Sequence, residues 1–215
     1  MNHKKIQITQ WIAIVAICPV AFCLDTAGVS KEKRRVLESR QIYLRGGDLP
    51  EWDDFNSKIV AESWNKTFQT DENDAEWTLL IRQVDVRREW TLKLNGKPIG
   101  RLKRDENDLL STFSIPKKTL RSGENQLSLE AKLNNETDDI AIGPIYLCKT
   151  STKQLLSEST LKIKARDPKE PGSPLPCRIT IVDQNKSLVP LGINSTQRLA
   201  VREGVVYTLD GITEI

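Results

Sequence analysis

Three adjacent side chains are well suited to holding a ligand. Trp52, Asp53 and Asp54 stand in the run RGGDLPEWDDFNS, where two glycines, a proline and three aspartates predict a loop. An exposed indole ring stacks on the apolar face of a sugar, and neighbouring carboxylates accept its hydroxyls. The run therefore makes a glycan or cell-surface group the expected partner, with Trp52, Asp53 and Asp54 as its contacts. The competing reading is that Trp52 plugs one end of a β-sandwich and touches no ligand.

The remaining chemistry-bearing residues exclude more than they offer. The run DEND occurs at Asp71–Asp74 and again at Asp105–Asp108. Clustered carboxylates suit Ca²⁺, but neither copy has the spacing or the glycine of an EF-hand loop. Both are expected to be solvated acidic turns; structural calcium is compatible with them but not indicated, and no other cofactor or metal is expected. The single histidine is His3. The rest of the chain has no imidazole for a Ser-His-Asp or Cys-His system, a histidine-ligated metal or a histidine base. A carboxylate pair for glycoside hydrolysis is defined by its separation in space, so sequence spacing selects none. No catalytic residue is assigned.

Of the four cysteines, Cys18 and Cys23 lie near the N-terminus, leaving Cys148 and Cys177. In an oxidising compartment these two could form a disulfide; two buried thiols are the alternative. The N-terminus points to such a compartment. His3, Lys4 and Lys5 precede the apolar run WIAIVAICPVAFCL, Trp11–Leu24, which has the pattern of a secretory signal peptide ending by about Gly28. The expected location is secreted, periplasmic or cell-surface, with membrane attachment only through an uncleaved signal segment. Sequons at Asn65, Asn135, Asn185 and Asn194 matter only if the source glycosylates.

The net charge of +3, from 32 basic and 29 acidic residues, gives no reason to expect a nucleic-acid partner. The densest basic run, KEKRR at Lys31–Arg35, is expected to be a solvated stretch.

The elements that must position these residues read as β-strands. Trp77, Leu79 and Ile81 alternate with their neighbours, as do Trp90, Leu92 and Leu94, and then Leu127, Leu129 and Ala131. Trp64, Trp77 and Trp90 are expected in the core. Asn95-Gly96 predicts a two-residue hairpin turn, with Leu94 opposite Lys97. Keeping Ile99 and Leu102 on one face requires a bulge near Gly100, and Pro98 predicts an edge strand. No amphipathic helix is expected beyond the signal peptide. The predicted fold is an all-β sandwich plus a small, incomplete β module. Its divisions are a signal peptide (1–28), a polar segment (29–41), the sandwich (42–148), a linker (149–176) and the β module (177–215). Within 149–176, Leu161, Ile163 and Ala165 could add a last sandwich strand. About 40 residues cannot build a core alone, so the last module is either truncated or leans on the sandwich.

The stretches LLIRQVDVRREWTLKLNGKPIGRL, IPKKTLRSGENQLSLEAK and DDIAIGPIYL resemble the galactose-binding-like jelly-roll domains of secreted bacterial carbohydrate-active proteins. RGGDLPEWDD, together with PCRITIVD and LAVREGVVYTLDG, is similar to the N-terminal region of secreted carbaryl-hydrolase-like metallohydrolases with a PHP-type metal domain. There a β-sandwich precedes a carboxypeptidase-regulatory-like, or Ig-like, module and then the catalytic domain. The resemblance implies a non-catalytic accessory role, binding a carbohydrate or surface, at the N-terminal side of a larger extracytoplasmic metallohydrolase. The His- and Asp-rich metal motifs of that family are absent here, so no catalytic residue carries over. An envelope structural or protein-interaction module without a small ligand is the alternative.

Overall fold

A computed structural model describes residues 34–47, 50–51, 62–132, 137–170 and 172–215. The signal segment and the Trp52–Asp53–Asp54 run lie outside the described residues. The sandwich runs through β1 (Arg34–Glu38), β2 (Ile42–Gly46), β3 (Ser63–Thr70), β4 (Trp77–Val84), β5 (Trp90–Leu94), β6 (Lys97–Arg101), β7 (Leu109–Ile115), β8 (Gly123–Ala131) and β9 (Asp138–Cys148). One sheet has the order β1-β9-β4-β7, with β2 also on β9; the other has the order β3-β8-β5-β6. The chain changes sheet after β2, β3, β4, β6, β7 and β8, which is the jelly-roll arrangement of an all-β sandwich.

The period-two pattern explains why these segments pair. Every second residue of β5 is buried, as Trp90, Leu92 and Leu94. They face Leu127 and Leu129 of β8, Trp64 and Phe68 of β3, and Leu79, Ile81, Phe113, Ile140, Ile142 and Ile145 of the opposite sheet in one continuous core. Each such side chain contributes about 1.5–3 kcal/mol by leaving water.

The β5–β6 hairpin has the expected turn. Asn95 and Gly96 both have positive φ, at 52° and 78°. Leu94 pairs with Lys97 and Lys93 with Pro98, but Leu92 pairs with Gly100, so Ile99 is the extra residue of a bulge. A Cβ on Gly100 would lie 2.6 Å from the Phe113 ring, so the bulge needs a glycine. β6 is an edge strand, where Pro98 costs no ladder bond.

Several expectations are corrected. The polar N-terminal segment contains β1, so the sandwich starts before Ile42. The stretch expected as a linker holds a helical turn, α1 (Thr152–Leu155), capped by Ser151, and β10 (Lys162–Lys164). After it come β11 (Cys177–Thr180), β12 (Leu199–Arg202), β13 (Val205–Thr208) and β14 (Ile212–Glu214). β10 pairs with β14, not with the sandwich, and β11-β13-β12 form a small sheet.

This C-terminal unit is seated on the sandwich. The Leu110 amide donates to the Leu188 carbonyl, and the Leu188 amide donates to the Asp108 carbonyl, both at 2.8 Å. Leu109, Leu188 and Val205 form a shared apolar cluster. Lys103 pairs with Glu203, and Arg202 with Asp105 at 3.5 Å. β4 is buried on both faces near its start: Thr78 donates from its hydroxyl to the Thr150 carbonyl and lies 3.1 Å from the Thr152 hydroxyl.

Cys148 and Cys177 are free thiols in this structure, the alternative to the disulfide that the sequence allows. Cys148 packs against Leu155, whereas Cys177 starts β11 opposite Thr208, in a different sheet. Burial raises the pKa of both thiols.

Candidate functional site

Two ends of β9 concentrate the polar chemistry of the sandwich. Its first residues, Asp138 and Asp139, are 1% and 0% exposed. Asp138 accepts the Trp90 indole N–H at 2.7 Å, the Arg88 amide at 3.0 Å and the Arg87 amide at 3.1 Å. Asp139 takes two bonds from the Arg45 guanidinium, at 2.6 and 3.1 Å, and the Glu51 amide at 2.9 Å. The Glu51 carboxylate accepts from Arg87 at 2.6 Å and from the Asp139 amide at 3.2 Å. Arg87 also pairs with Asp85 at 3.2 Å and Glu106 at 3.6 Å. Burial raises the pKa of Asp85, while the Arg87 guanidinium opposes that shift.

Buried carboxylates persist only when fully matched to donors, and these are. The network is a structural clamp that fixes Glu51, the residue from which the Trp52–Asp53–Asp54 run departs. Among the described residues, no group of three or more His, Cys, Asp or Glu is placed to hold a metal ion.

The other end of β9 is open. There Arg34 and Arg35 of β1 pair with Cys148 and Leu147, while Thr70 closes β3 against Gly123. Between the two sheet edges lies a groove of about 420 Å³ lined by Arg34, Arg35, Gln69, Asp71, Ser122 and Lys149, among others. The Arg34 guanidinium stacks 3.6 Å from the Tyr146 ring centre. Lys149 lies 5.1 Å from the Trp77 ring centre and 3.8 Å from the Asp71 carboxylate. Arg35 donates to the Gln69 carbonyl. The basic run expected to be a solvated stretch thus contributes the Arg35 guanidinium to the wall of a cavity, while Arg34 turns to the other face of β1. Sequence reading missed this because the other cation of the wall, Lys149, lies far along the chain.

The DEND runs are likewise more than solvated turns. Asn73 is fully buried; its amide donates to the Ala75 and Pro116 carbonyls, and its oxygen accepts the Leu120 amide. Asp108 pairs with Arg82. A third buried carboxylate, Glu38, lies on β1 between Arg40 at 3.1 Å and Lys66 at 3.5 Å. The hydrogen bonds from Arg40, with its charge and that of Lys66, outweigh burial and hold the Glu38 pKa at about 2.

No protein family matches the chain, and no curated protein matches it. Solved structures similar to it include three carbohydrate-binding modules. The CBM36-1 domain of a multidomain xylanase from the hindgut metagenome of Trinervitermes trinervoides is 9% identical, at a TM-score of 0.29 over 50% of this chain and 96% of that one. A family 35 carbohydrate-binding module from an environmental isolate is 16% identical, at a TM-score of 0.30 over 51% and 93%. A CBM36 module in complex with calcium and xylotriose is 8% identical, at a TM-score of 0.30 over 55% and 95%. Likenesses of this size leave the chemistry of the site to be read from its own residues.

Proposed function

We propose that the chain is a non-catalytic carbohydrate-binding module whose sandwich holds a glycan in the groove between β1 and β3. The observation that carries this reading is the groove itself. Its volume of about 420 Å³ falls within the range that small ligands fill. Its walls mix donors, Arg35 and Lys149, with an acceptor, Asp71, and with Gln69 and Ser122, which do both. A sugar ring needs that mixture, because each hydroxyl donates once and accepts twice. The walls stand at strand ends fixed by the β1–β9 and β3–β8 ladders, so the groove is pre-formed and costs little ordering entropy.

The Trp52–Asp53–Asp54 run is the alternative ligand contact within the same reading. Export on the N-terminal segment, and an accessory place at the N-terminal side of a larger extracytoplasmic metallohydrolase, belong to the same proposal and rest on the sequence pattern and the resemblance. The reading frame beyond the Ile215 codon tests the second of these: metal-binding His and Asp motifs there support it, and a stop codon overturns it.

A glycan array probed with the full chain, followed by calorimetric titration of any hit, tests the binding reading. Binding that weakens on Arg35→Ala supports the groove. Binding lost on Trp52→Ala and kept in Arg35→Ala moves the contact to the Trp52–Asp53–Asp54 run. No binding to any glycan overturns the reading in favour of a protein-interaction module. That second reading draws on Leu161, Tyr207, Leu209 and Ile212, all exposed on the C-terminal unit.

A further inference from the structure

We propose that the groove between β1 and β3 selects acidic saccharides, those carrying a carboxylate or a sulfate. This rests on the glycan-binding reading above and adds the ligand's charge to it. Three ionisable side chains face the groove, Arg35 and Lys149 against Asp71, while Arg34, next along the strand, turns to the opposite face. The local balance is one positive charge in the cavity, with both cations on its walls and the carboxylate at its exposed margin.

Arg35 supplies a planar fork that matches the two oxygens of a carboxylate or sulfate, and its tie to the Gln69 carbonyl holds it in place. Asp71 is 87% exposed and meets Lys149 only at 3.8 Å, so the lysine is not tightly neutralised. A bound anion would sit beside the lysine while Asp71 accepts a sugar hydroxyl.

The same features disfavour a nucleic acid. Single strands are held by bases stacked on aromatic faces along a basic track. Here the Tyr146 and Trp77 rings each carry a cation, which leaves neither face open for a base to stack on.

The test is calorimetric titration of the full chain with galacturonate oligosaccharides, their carboxyl-reduced neutral counterparts, and a sulfated oligosaccharide. The two acidic probes separate carboxylate from sulfate as the anion source. The expected result is binding of at least one acidic probe about tenfold or more tighter than the reduced one, weakening as salt rises. Arg35→Ala and Lys149→Ala should each lower that affinity about tenfold with no change in thermal midpoint. Asp71→Asn should raise it about two- to threefold, a gain that misfolding cannot produce. Equal affinity for acidic and reduced sugars overturns acid selection and leaves the glycan reading standing. No binding to any sugar overturns both. Equal affinity for single-stranded DNA or for vesicles of anionic lipid overturns selection of a saccharide. Acid binding untouched by Arg35→Ala and Lys149→Ala removes the groove as its site.

Discussion

The two ends of β9, about 30 Å apart at roughly 3.3 Å per residue, hold similar side chains in opposite circumstances. Around Asp138 and Asp139, carboxylates and guanidiniums are buried and matched donor to acceptor. Around Arg35 and Lys149, cations outnumber the one carboxylate and face an open groove. The difference shows what makes a charge available. A desolvated ion must be fully paired, and is then committed to the fold. A charge at a strand end in water can remain partly paired, and so can meet a ligand.

The largest effect that would sharpen this contrast is at Asp138. Asp138→Ala leaves the Trp90 indole and two backbone amides without an acceptor, and should destabilise the fold by about 3–5 kcal/mol in urea unfolding. A loss under about 1 kcal/mol would mean that the closed end is not a clamp. Trp90→Phe removes one of the three donors and keeps most of the ring. It should cost about 2 kcal/mol, combining a charged hydrogen bond with some lost packing.

Glu38 is the intermediate case, a carboxylate 5% exposed whose cations, Arg40 and Lys66, reach into water. Glu38→Gln should cost about 1 kcal/mol at neutral pH, because the exposed partners are screened. The sign follows from the depressed pKa, about 2 against an ordinary 4.5. The ionised form is favoured in the folded protein, so its contribution is complete above about pH 4.5 and fades as pH falls towards 2. Urea unfolding of both proteins across that window should show their stabilities converging on acidification. A gap that stays constant would remove the ion pairs as its cause.

How much of this was legible in the sequence depends on how local each cause is. Trp77–Ile81, Trp90–Leu94 and Leu127–Ala131 show period two because one face of each strand meets the core, and this gave away the all-β class. The Asn95-Gly96 turn, the bulge near Gly100 and the edge position of Pro98 also follow from backbone chemistry within a few residues. β1 was not legible, since in RRVLE only Leu37 and Glu38 are buried. The sheet that Ile163 joins is not legible either, because its partner Thr213 lies some 50 residues on and nothing local names it. The closed end depends on Arg45 reaching Asp139 across 94 residues. The pair Asp138-Asp139 opening an apolar strand was the one available signal for it. The groove needed the two ends of the sandwich chain, Arg35 and Lys149, brought together by the β1–β9 ladder.

The smallest expected effect on stability is at the groove, and it separates the two ends most directly. Arg35 and Lys149 are exposed, and each makes a contact that water can replace. Arg35→Ala and Lys149→Ala should each change unfolding free energy by no more than about 0.5 kcal/mol, against several at Asp138. The order reverses in binding. The two groove variants should lose affinity at full stability, while Asp138→Ala should bind normally once corrected for its unfolded fraction. A protein in which the groove variants melted early and the Asp138 variant did not would have its roles exchanged. The charges on β1 would then serve the fold, and the search for a ligand would return to Trp52, Asp53 and Asp54.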